Sequence, residues 1–214
     1  MTHFQYVINL KTYEESTGSR TENFMNPLSN KTYESEVKFA LSIPQLHLAT
    51  KFKSVISQHV DYVTYGAHTG HIIMEDLISL GVMESLLNHS ERRLPYPIIK
   101  STLERAKELN FGIITCSQDM AETEALCEIG AETIAYEPPE LIGGSVSVSM
   151  ARPGIIEEIA QLCREYGSKL LVGAGIKNRI DVETSKKLGA VGVLVSSGIV
   201  KSNDPFLSLN SLMI

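Results

Sequence analysis

The stretch Tyr136–Ser149, YEPPELIGGSVSVS, sets one carboxylate at the end of an apolar run and follows it with two prolines and a Gly-Gly pair. Pro138 fixes its own φ and biases Glu137 toward extended backbone, so the carboxylate is aimed rather than left to wander. Pro138 and Pro139 make a stiff hinge, Gly143 and Gly144 a loose one, and Leu141 and Ile142 between them can cover a ligand. A segment hinged at both ends is how a closing loop is built. Closure would exclude water and raise the basicity of Glu137, as a proton-abstracting base requires. A glutamate at such a turn is otherwise a solvated acid, which is the reading given to Glu140.

Three further groups could work with that base. His89 stands in NHSERR (88–93), at the end of an apolar run. If HSERR opens a short helix, its amides and positive end would lower the imidazole pKa. A neutral imidazole can donate to a carbonyl and pass a proton between adjacent oxygens. Lys11 and Asn9 lie two apart, hence on one side of an extended strand; the lysine offers a point charge to an anion and the asparagine can orient it. The small-residue turns GAGI (173–176) and SSG (196–198) would let backbone amides approach phosphate oxygens, with Gly143 adding another. His3, His47 and His59 read as structural. His68 and His71 are spaced by three without further ligands beside them, so no metal is expected, and no cofactor is required. Their loop, with Thr69 at its centre, suits insertion into a partner subunit.

These groups need a scaffold that brings them to one opening. Eight short apolar runs qualify as strands: 6–10, 38–43, 61–66, 85–89, 111–116, 133–137, 169–174 and 191–196. Between them, 101–110 places Leu103, Ala106 and Leu109 on one helical face, 154–167 places Ile155, Ile159, Leu162 and Tyr166 at near-helical spacing, and 181–190 stops at Gly189. Strands apolar throughout fit a sheet buried on both faces. Strict alternation implies parallel strands with right-handed crossovers. The expectation is a closed (β/α)8 barrel, a single α/β domain over residues 1–214, with its chemistry at the C-terminal ends of the strands. An open doubly wound sheet would show fewer strands and a G-x-G-x-x-G turn after the first, where this chain reads NLKTYEESTG.

Composition sets outer bounds. The chain has 214 residues and a net charge of −6, which argues against a nucleic-acid or anionic-membrane partner. Cys116, Cys127 and Cys163 have no paired or metal-type spacing. The apolar run before Lys11 is too short for a signal or membrane segment. A cytoplasmic protein with free thiols is expected.

The motifs NLK, GAHTGH, NHSERR, AYEPPELIG and VGAGI…GVLVSSG resemble, in order and place, those of the triosephosphate isomerase family. The short length, NHSE and EPPELIG resemble its archaeal branch. The resemblance spans essentially the whole chain, and the tuning of a glutamate base against a neutral histidine is a known example from that family. It implies an aldose–ketose isomerase acting on a triose phosphate. Glu137 then moves the proton between carbons, His89 polarises the carbonyl, and Lys11 with Asn9 binds substrate. Ile142 and Gly143 belong to the lid, Gly175, Ser196 and Ser197 contact phosphate, Glu91 is a supporting acid, and Thr69 reaches a second subunit. It also implies a homo-oligomer, a dimer or a tetramer. A sugar-phosphate epimerase sharing the phosphate cradle is the alternative. The lid departs from the family: Gly143-Gly144-Ser145 stands where Gly-Thr-Gly or Gly-Ser-Gly is usual, which predicts greater lid entropy. There is no tryptophan, and His71 occupies a position where longer members carry an acid.

Overall fold

The computed structural model describes residues 3–29, 31–141 and 153–214. Eight parallel strands close into a barrel in chain order: β1 Gln5–Asn9, β2 Glu36–Leu41, β3 Val55–Ser57, β4 Glu84–Leu87, β5 Gly112–Ser117, β6 Thr133–Tyr136, β7 Lys169–Val172 and β8 Gly192–Val195. The seam is the pairing of β1 with β8, from Gln5 opposite Gly192 to Ile8 opposite Val195. Around it lie helices α1 Arg20–Ser29, α2 Met74–Ser79, α3 Tyr96–Glu108, α4 Met120–Glu128, α5 Pro153–Glu165, α6 Arg179–Lys187, α7 Ser197–Val200 and α8 Pro205–Leu212. A 3-10 helix, Ile43–Thr50, joins β2 to β3.

Alternation along each strand makes two cores. Val7, Ala40, Ile56, Leu86, Ile114, Cys116, Ala135, Leu171 and Leu194 pack together inside the barrel. A larger cluster, including Tyr6, Phe39, Leu87, Tyr136 and Val193, packs between strands and helices. Burial on both faces explains why the strands read as continuous apolar runs. Helix starts are fixed by side chains: Asp119 accepts the Glu122 N–H at α4, and Asn178 and Asp181 form a reciprocal capping box at α6. Gly189, at φ +105, follows α6 as expected. Tyr6 closes the far end of the chain, its hydroxyl donating to Leu212 O and accepting the Ile214 N–H.

Two expectations fail. Residues 61–66 are not a strand; the third strand is the three-residue Val55–Ser57. Asp61 instead closes a loop, accepting the Ile72 N–H on its carboxylate while its own N–H bonds Ile72 O, and pairing with His59 at 3.1 Å. The buried face of α5 is also turned from the expected one: Ile156, Ile159, Ala160 and Cys163 are buried, whereas Tyr166 is exposed. Small residues at 160 and 163 let α5 approach its neighbours, and size-blind spacing favoured the bulkier side chains.

The N-terminal mouth of the barrel holds a polar plug. Lys38 Nζ lies 2.7 Å from Glu84 and 3.3 Å from Glu36, and Gln5 donates to Glu36 at 2.9 Å.

Candidate active site

At the opposite mouth, strand ends deliver their side chains to one cavity of about 580 Å³, a size that suits a small ligand. β1 contributes Asn9 and, just beyond it, Lys11. The Lys11 backbone is left-handed at φ 48, a strained state for a residue with a side chain. It is held by the Asn9 carboxamide, which accepts the Lys11 N–H at 3.0 Å, and by Gln58, which donates to Lys11 O at 3.1 Å and to Ala40 O at 3.0 Å. The Lys11 ammonium lies 2.7 Å from Glu91.

β4 ends in a second left-handed residue, Asn88, at φ 59. Its carboxamide donates to Cys116 O and to Glu122, and accepts the Leu94 N–H. Those bonds fix the turn that aims His89 inward. His89 Nδ1 accepts the Glu91 N–H at 3.2 Å, so the proton of the neutral ring sits on Nε2. HSERR forms a turn here, and α3 begins only at Tyr96; the expected short helix at 89–93 is absent. The imidazole pKa is nonetheless lowered to about 4, by burial first and by the Lys11 charge second.

Glu137 follows β6, its N–H bonded to Ser117 O at 2.9 Å. It is 7% exposed. Its Oε2 is 3.4 Å from His89 Nε2 and has no hydrogen-bond partner among the described residues. Burial pushes its pKa up to about 7, against the pull of Lys11. This is a carboxylate kept basic by lack of solvation, beside an imidazole kept neutral by the same cause.

The GAG turn divides its labour. A Cβ on Gly173 would come within 2.4 Å of Glu137 Cγ, so the first glycine makes room for the base. Ala174 and Gly175, at φ 67 and 75, turn the chain across the cavity. Gly175, Ser196 and Ser197 all line it. The Ser196 hydroxyl is committed to Asn9 O at 2.6 Å, which leaves backbone for any anion there. Thus Asn9, Lys11, His89, Glu91, Glu137, Gly175, Ser196 and Ser197 all line one cavity. Thr69 lies exposed on the 61–73 loop and does not line the cavity. Ile142 and Gly143 fall outside the described residues.

Sequence reasoning passed over Asn88, Cys116 and Lys177, and gave Gly173 to the phosphate turn when its place is against Glu137. Asn88 carried a signal, since asparagine tolerates the left-handed region better than most residues. Cys116, fully within the barrel, bonds Glu137 and pulls its pKa down slightly against burial; nothing in its spacing marks it. Lys177 lines the cavity rim.

The sequence pattern of the family described as "Triosephosphate isomerase" matches residues 5–213. The chain belongs to the triosephosphate isomerase family. A triosephosphate isomerase of Thermoplasma volcanium is 50% identical over 213 residues, covering 98% of this chain and 99% of that protein. Those of Methanoculleus marisnigri and Cenarchaeum symbiosum are each 38% identical, covering 97% and 96% of this chain and 96% and 95% of their own lengths. These triosephosphate isomerases are archaeal, as the short length and EPPELIG implied. As a member of the triosephosphate isomerase family the protein is an isomerase on a (β/α)8 barrel. Among the described residues no helix is long and apolar enough to cross a membrane.

Proposed function

We propose that the protein interconverts dihydroxyacetone phosphate and D-glyceraldehyde 3-phosphate by proton transfer through an enediolate, with residues 1–214 acting as one domain. The observation that carries the assignment of roles is the pairing of Glu137 and His89 across 3.4 Å, one basic and one neutral, in a cavity that Lys11 also lines. Glu137, with its pKa near 7, takes the proton from the carbon beside the carbonyl. The Nε2–H of His89 donates to the carbonyl oxygen and stabilises the enediolate as charge develops there. Lys11, oriented by Asn9 and Glu91, places one positive charge beside the reacting oxygens. Backbone at Gly175, Ser196 and Ser197 receives the phosphate; Ile142 and Gly143, assigned to the lid by the family resemblance, are part of the same proposal. The family match favours this reading over a sugar-phosphate epimerase.

A coupled assay of triose phosphate conversion tests it. Glu137→Asp draws the carboxylate back by one methylene and should lower kcat about 100-fold or more, with KM changed only a few-fold. Full turnover in that variant would remove Glu137 from the chemistry. The same reading makes the protein a homo-oligomer, a dimer first, with Thr69 carried to a second copy; the exposure of the 61–73 loop, Tyr65 being 74% exposed, supports this. A monomeric mass by light scattering would overturn it. A cytoplasmic setting fits the three buried free cysteines.

A further inference from the structure

Lys11 alone cannot balance a phosphate dianion, because its ammonium is already engaged by Glu91 at 2.7 Å. The charged side chains lining the cavity, among the described residues, are Lys11, Glu91, Glu137 and Lys177. Without Lys177 the local charge would be zero when Glu137 is protonated and negative when it is ionised. The chain as a whole carries a net charge of −6. A dianion would then approach a negative protein and enter a site with no surplus cation. Lys177 raises that local balance by one charge, to positive when Glu137 is protonated and to neutral when it is ionised. Its placement is fixed from beneath: the N–H groups of Lys177 and Asn178 both donate to the Asp181 carboxylate, at 3.0 and 3.2 Å, within the capping box of α6. Asp181 is 4% exposed, so this anchor is rigid while the lysine side chain above it is exposed at the rim.

We propose that Lys177 is a second phosphate-directed cation of this site, drawing in and retaining dianionic substrates and selecting against uncharged analogues. The reaction it serves is the isomerisation proposed above, and its role in anion binding can be read without turnover. Steady-state kinetics on the full chain should separate Lys177→Gln, Lys177→Arg and Lys187→Gln. Lys187 lies at the other end of α6, exposed, and its variant changes net charge equally. Lys177→Gln should raise KM and the inhibition constant of inorganic phosphate about fivefold, as expected for one rim charge in water acting on a dianion. Its kcat should stay within about twofold, with a flatter dependence of kcat/KM on ionic strength. Lys177→Arg should keep both constants near the parent values, and Lys187→Gln should leave them unchanged. Unaltered constants in Lys177→Gln, or an equal rise in Lys187→Gln, would overturn the proposal. If the parent protein turns over no triose phosphate, the isomerase reading fails by itself. Calorimetric binding of inorganic phosphate then still decides for Lys177: weaker binding in Lys177→Gln upholds it, equal binding refutes it.

Discussion

At the N-terminal mouth of the barrel, Lys38 sits between Glu84 and Glu36, and Gln5 completes the set. At the C-terminal mouth, Lys11 has Glu91, but Glu137 is buried with one oxygen unpartnered and His89 is held neutral beside it. Both ends place a lysine among carboxylates. One end satisfies its polar groups and the other withholds solvation from them. Satisfied polar groups serve stability, whereas a desolvated carboxylate stores reactivity. The division follows the barrel's own asymmetry, in which loops after the strand ends can reach a ligand and those before them cannot.

The comparison can be broken most severely by a methyl group. Gly173→Ala would force Glu137 out of its place, since the added carbon would overlap its side chain. The expected loss is about 100-fold in kcat, from displacement of the base by the order of an ångström. A Gly173→Ala enzyme with parental kcat would show that Glu137 does not act from this position. Next comes pH. Glu137, raised to about 7, must be ionised to accept a proton, so kcat/KM should fall about tenfold for each pH unit below 7 and level off above it. His89, lowered to about 4, stays neutral throughout that range and adds no second limb. A profile flat from about pH 6 to 8 would contradict the desolvation on which this mouth depends. The smallest effect belongs to the other end. Lys38→Met should cost about 1–3 kcal/mol in denaturant unfolding, less than a fully buried pair because these groups retain some water, and should leave kcat unchanged. A fall in kcat with no loss of stability would erase the contrast between the two mouths.

The barrel was legible because its strands are buried on both faces and seven of them are long enough to read as apolar runs. The eighth, Val55–Ser57, was not. It is three residues long, and the buried Ser57 and His59 that follow its apolar pair are polar. A hydrophobic pattern carries no record of polar groups that are satisfied by neighbours, as Ser57 is by His59 O. The run at 61–66 imitated a strand because Tyr62, Val63 and Tyr65 are large and apolar, yet Tyr62 and Tyr65 are exposed. In the site, residue type and position at strand ends revealed Glu137, His89, Lys11 and Asn9. What stayed hidden was what holds them: Asn88, Gln58 and Gly173 act through backbone angles and contacts between strands distant in sequence. The neutral histidine was expected for the wrong reason, a helix end where burial does the work.

The seam between β1 and β8 also bears on how the chain is made. Gln5 to Ile8 find their second partner only in residues 192–195. During synthesis β1 therefore remains an open edge until nearly the whole ribbon has left the ribosome, and an open edge is a template for joining other chains. Crowding of nascent polypeptides, rather than weakness of the finished barrel, is where such a protein is most exposed to aggregation.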